Sequence, residues 1–183
     1  MSIPRAAVAA SLLLAVLPLK AAAGDVFIYS YDPISPSART LTTTGLSFEF
    51  QRGVLGGVRV HKVIQTGDRG EADLKLASEA ELGAGGVRAA LGQERPAGPL
   101  YEILPAGDGK SFVHAVCPGA DRAWLLIGKL DRFKDLELQA VGRRAGEAKA
   151  HACSNMAFGF KSDWRLPDQE PGEAHIAARQ GPS

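Results

Sequence analysis

Beyond residue 24 the chain alternates apolar and polar positions with a period near two, the spacing that sends successive side chains to opposite faces of a strand. "DVFIYSY" sets Phe27, Tyr29 and Tyr31 on one face and Val26 and Ile28 on the other. "LSFEF" turns Leu46, Phe48 and Phe50 inward and Ser47 and Glu49 outward. Gly53, Gly56 and Gly57 supply the residues a tight turn needs. "VRVHKVIQ" returns as a strand, but Val63 falls out of phase with Val58 and Val60, which predicts a bulge at His61 or Lys62. "ADLKL" adds another short strand.

One helical signal follows. Ser78 stands three residues before Glu81, the spacing of a capping box, and Gly83, Gly85 and Gly86 interrupt what comes next. One short helix, or two helical turns parted by the glycines, is predicted within 78–92.

From residue 99 the pattern is that of a meander. "LYEIL" leads through the turn "PAGDGK" to "SFVHAVC", read as the returning strand. "AWLLIGKL" is apolar on both faces, as a strand covered on both sides requires, and Trp124 belongs to its core. "DLELQAV" turns Leu136, Leu138 and Ala140 inward. "AKAHACSNMAFGFKSDW" is one long strand bent near Ser154 and Asn155, or two short ones. These elements predict an all-β, mainly antiparallel single domain over 24–166. Its form is a β-sandwich or a partly open barrel of about nine or ten short strands, with one short helix near 78–92.

The ends of the chain change the picture. Arg5 precedes an uncharged run from Ala6 to Leu19, and Ala21, Ala22 and Ala23 offer a small-residue cleavage pattern. A membrane-spanning helix takes about 20 apolar residues, so this run suits a cleaved Sec-type signal peptide over 1–23 better than an anchor. No Arg-Arg pair precedes it, which argues against the twin-arginine route. Residues 167–183 carry few large apolar side chains and read as a flexible tail. The expected location is a bacterial periplasm or the medium beyond it, with no membrane insertion after signal cleavage. The formal net charge of +1 gives no general attraction to nucleic acid.

Export decides how the two cysteines are read. Cys117 and Cys153 are an even pair in an oxidising compartment, which predicts a disulfide. Closing a loop of roughly 35 residues would stabilise the fold by roughly 4 kcal/mol in the chain-entropy model. His114 and His151 stand just upstream of them, so a Cys/His metal site of His114, Cys117, His151 and Cys153 is the alternative. On a strand, however, His114 and Cys117 would face opposite ways.

Other chemistries find little support. "GDGKS" resembles the end of a phosphate-binding loop, but Leu104 stands where that pattern needs its first glycine, and a following strand would make it a hairpin turn. No G-x-S-x-G occurs, and nothing in the spacing unites His61, His114 or His151 with a nucleophile and an acid. Two aromatic ladders remain, Phe27, Tyr29 and Tyr31, and Phe158, Phe160 and Trp164. Both serve a core; Tyr29 and Tyr31, which suit a partly wet face, are the ligand-binding candidates.

The expected function is therefore a non-catalytic binding or structural role in the envelope, without cofactor, toward an unknown protein or a small envelope ligand. The alternatives are a periplasmic hydrolase with a site assembled from separate strands and a Cys/His metal-binding protein.

Overall fold

The computed structural model describes residues 25–53, 56–67, 70–92 and 98–166. The expected signal peptide, 1–23, and tail, 167–183, lie outside them. Among the described residues no helix is long and apolar enough to cross a membrane.

Eight antiparallel strands form one closed barrel in simple sequence order: β1 (Val26–Pro33), β2 (Leu46–Arg52), β3 (Val58–Gln65), β4 (Glu71–Leu76), β5 (Leu100–Ile103), β6 (Arg122–Ile127), β7 (Leu136–Arg143) and β8 (His151–Leu166). Closure between β1 and β8 removes both sheet edges, which the sandwich or partly open barrel would have left. Eight strands replace the expected nine or ten for two reasons. The last segment is a single strand, and "SFVHAVC" is not a strand at all.

That segment is α3 (Gly109–Val116), which ends at Cys117. Its buried positions, Phe112, Val113 and Val116, follow helical spacing and enter the barrel core. The strand–loop–helix passage that the hairpin reading excluded therefore exists. It forms no open phosphate cradle, because the Gly109 amide already donates to Ala106 O at 2.9 Å. A second helix, α1 (Pro36–Leu41), was not foreseen; Ser35 caps it through the Ala38 amide, and Pro36 opens it. Ala38 and Leu41 join the same core. α1 and α3 both lie in connections at one end of the barrel, and together they plug it.

Three bulges tune the strand phases. His61 is the extra residue of β3, since Glu49 pairs with Lys62 and Phe50 with Val60. Val60 and Val63 thus both face inward and are buried. Cys153 is extra against β7, and Lys161 is extra against β1. The Lys161 bulge breaks the second aromatic ladder: Phe158 and Phe160 point inward, whereas Trp164 pairs beside Ile28 on the outer face and is 53% exposed.

The interior is packed with side chains, among them Phe48, Phe50, Tyr101 and Phe158, all at most 1% exposed. A smaller apolar cluster lies outside. A 3-10 turn (Glu79–Leu82), held by the predicted capping box, and α2 (Gly86–Leu91) cover Trp124 and Leu126 on the outer face of β6. Arg122 binds Glu102 Oε1 at 2.8 and 2.6 Å and lies 4.8 Å from the Trp124 ring. Arg143 reaches back to Glu81 O at 3.1 Å, which ties this cover to the sheet.

Cys117 and Cys153 are disulfide-bonded, joining the end of α3 to the bulge of β8. Gly142, on the inner face of β7, faces the bridge. A Cβ there would overlap Cys117 Sγ and lie 2.9 Å from Cys153 Sγ.

Candidate functional site

The pairing register makes the end opposite α1 and α3 oblique. β8 pairs with β7 only as far as Phe158, and then continues to Leu166 against β1 alone. On the other flank, Val58–Val60 of β3 pair with β2 but not with β4. A wall of β8, β1, β2 and β3 therefore stands beyond the β6–β7 connection, and its inner face forms one side of a mouth.

The wall is floored by aromatic rings. Phe27 stacks on Phe50 at 5.8 Å between centroids, and Tyr29 meets Phe50 edge-on at 4.8 Å and Phe160 at 5.7 Å. Arg52 continues the inward phase of Leu46, Phe48 and Phe50. Its guanidinium lies 5.5–5.8 Å from the centroids of Phe27, Tyr29 and Phe50. It donates to the Tyr29 hydroxyl at 2.9 Å, and among the described residues it has no carboxylate partner.

The β6–β7 connection supplies the opposite rim. Leu130 is buried in the core, whereas Phe133 is 74% exposed. Phe133 sits at φ 63°, a left-handed conformation that a bulky residue rarely adopts, and rests edge-on against Phe160 at 5.3 Å. Arg132 binds Asp163 of β8 at 3.1 Å and lies 5.0 Å from the Phe133 ring. Asp131 is held by Lys129 at 2.8 Å and Lys134 at 3.5 Å, and the Lys129 hydrogen bond lowers its pKa.

Tyr29 and Tyr31 lie inside the barrel, 3% and 1% exposed, not on a wet outer face. Tyr31 contacts Phe48 and Phe160, and its hydroxyl is buried with no hydrogen-bond partner among the described residues. Burial, then the fields of Tyr29 and Asp131, hold its pKa well above the ordinary phenol range.

The other candidate residues do not meet there. The sulfurs of Cys117 and Cys153 lie with a His151 ring nitrogen inside 4.8 Å, but they are bonded to each other and offer no thiolate. His114 is outside this group, on the exposed face of α3, so the four-ligand set does not assemble. The opposed strand faces expected for His114 and Cys117 do not exist, because the segment is helical.

His151 stands 3.5 Å from Glu147 in a shallow recess of about 560 Å³ formed by Arg144 and residues 147–151. His61 pairs with Gln51 at 3.2 Å. Among the described residues no hydroxyl is hydrogen-bonded to a histidine ring, so neither supplies the nucleophile–base contact of a hydrolase. A cleft of about 420 Å³ between α1 and α3, lined by Gln65, Asp108 and Ser111 among others, holds no histidine.

Arg52 and Phe133 were not foreseen. An arginine closing a strand before a glycine turn reads as a solvated flank, and a loop phenylalanine has no periodicity to mark it. The chain matches no protein-family model, no curated protein and no solved structure.

Proposed function

We propose that this chain is an exported, non-catalytic binding protein of the bacterial envelope, and that it takes its ligand at the oblique mouth of the barrel. The observation that carries this reading is Arg52. Its guanidinium lies across aromatic rings at the rim, with a phenol as its one hydrogen-bonding partner among the described residues. Because the barrel interior is filled, a ligand engages the rim and the upper floor, not a deep cavity. Export is supported by the leader-like residues 1–23 and is consistent with the disulfide.

The test is mass spectrometry on protein recovered from its own compartment, first under native and then under denaturing conditions. The expected chain begins at Gly24, is two hydrogens lighter than its reduced form, and carries a non-covalent small molecule under native conditions. Retention of residues 1–23 overturns export. Stoichiometric metal on reduced cysteines overturns the disulfide-linked binding protein in favour of the metal-binding alternative.

A further inference from the structure

The donors and acceptors at the mouth do not balance. Arg52 gives one hydrogen bond, to the Tyr29 oxygen, and its remaining N–H groups have no acceptor among the described residues. The Tyr29 proton and the Tyr31 proton have none either. The neighbouring acids are already engaged, Asp163 by Arg132 and Asp131 by Lys129 and Lys134. Unspent donors, spent acceptors and aromatic walls together describe a complement to one chemistry.

We propose, building on the mouth as the binding site, that the ligand is a free anionic amphiphile: a carboxylate-type head on an apolar chain or ring. Arg52 holds the head, with the Tyr29 hydroxyl turned toward the same oxygen atoms. The apolar body lies along Phe160 between Phe27 and Phe133. Tyr31, beneath Phe160 and nine-tenths buried or more, is a second donor for an oxygen that enters deeper. Phe133 is the exposed side of the mouth, and its ring meets Phe160 and the Arg132 guanidinium. The charge-assisted bond to Arg52 sets the sign preference, and the rings set the preference for an apolar body.

Isothermal titration of the full mature protein with dodecanoate, and separately with dodecyltrimethylammonium below its micelle concentration, tests this. The two probes share a chain and differ in head charge. Dodecanoate is expected to bind one per chain and at least tenfold more tightly than the cation. Arg52→Gln is expected to cost dodecanoate tenfold or more and to leave the cation unchanged. Arg59→Gln, on the outer face of β3, leaves both unchanged. Thermal melts establish that each variant is folded, and Arg52→Lys, which keeps the charge, is expected to recover part of the preference. Equal binding of the two probes, or an Arg52→Gln variant with parental dodecanoate affinity, overturns the anion assignment while leaving the mouth as a site. Binding of neither probe overturns the mouth itself. Dodecanoate binding that appears only when the probe is held in a lipid vesicle overturns the free amphiphile.

Discussion

Replacing Gly142 by alanine separates the packing of the disulfide from the packing of the barrel. The inner face of β7 runs Leu136, Leu138, Ala140 and Gly142, so side-chain volume falls to nothing where the Cys117–Cys153 bridge crosses the strand. An added Cβ overlaps Cys117 Sγ, lies 2.9 Å from Cys153 Sγ and lies 2.8 Å from the Ala120 Cβ. Overpacking of this kind costs roughly 1–3 kcal/mol. The cost has a ceiling, because the protein can escape the overlap by forgoing the bridge. With a sequence separation of 36, that loss costs about 4 kcal/mol in the chain-entropy model. Gly142→Ala is therefore expected to destabilise the oxidised protein by about 1–4 kcal/mol.

In a Cys117→Ala, Cys153→Ala background both sulfurs are gone, and only the Ala120 contact remains. Alanine also gains about 0.5–1 kcal/mol over glycine in a strand, so the net cost should fall below about 1 kcal/mol. Urea unfolding of the four proteins closes the double-mutant cycle, with an expected coupling of about 2 kcal/mol. Equal costs in the two backgrounds would refute the claim that the bridge dictates Gly142. A cysteine-free protein within about 1 kcal/mol of the parent would refute the loop-entropy magnitude.

The buried Tyr31 hydroxyl gives a pH signature. Its folded pKa is raised, so the native state keeps a proton that the unfolded chain releases above the ordinary phenol pKa of about 10. Stability is fully present below that pH and falls above it, by up to about 1.4 kcal/mol per pH unit. Tyr31→Phe should flatten this alkaline limb in pH-resolved melts and, by removing an unpaired buried hydroxyl, leave neutral stability unchanged or raised by about 1 kcal/mol. An unaltered alkaline limb would show that Tyr31 does not report there. On the outer face, Glu102→Gln leaves the Arg122 guanidinium without its near partner and should cost about 1–3 kcal/mol; a change below the error of urea unfolding would mean that Trp124 packing alone holds this cover.

How much of this was legible depends on how far each signal reaches. The strand phases were readable where one face meets the core: Val60 and Val63 announced the His61 bulge, and Ser78 with Glu81 announced the 3-10 turn. α3 was misread because Phe112, His114 and Val116 fit a period of two, as a strand would. Phe112, Val113 and Val116 fit a helix equally well, and eight residues are too few for periodicity to decide. α1 is shorter still, and its Ser35–Pro36 start resembles any loop. Barrel closure depends on β1 meeting β8 across the whole chain, which no local pattern encodes. At the site, the sequence offered Tyr29 and Tyr31 as candidates on a partly wet face, whereas both are buried. Their burial follows from closure, and so does the convergence of Arg52, Phe160 and Phe133.

The two ends of the barrel divide the work. At one end α1 and α3 fill the opening with Leu41, Phe112 and Val116, and the disulfide fastens α3 to β8. At the other, the strands overrun one another and leave polar hydrogens unmatched. The packed interior between them, Phe48, Phe158 and their neighbours, transmits rigidity but offers no space for a ligand to pass. Stability and recognition should then be separable. Removing the bridge by Cys117→Ala with Cys153→Ala should lower the melting temperature by roughly 10–20 °C, from about 4 kcal/mol spread over a domain of this size. Dodecanoate affinity measured well below that temperature should stay within about twofold, a free-energy change under about 0.5 kcal/mol. A bridge-free protein that is folded but binds dodecanoate tenfold more weakly would mean that the helix end shapes the mouth, and that the barrel works as one coupled body instead of two independent ends.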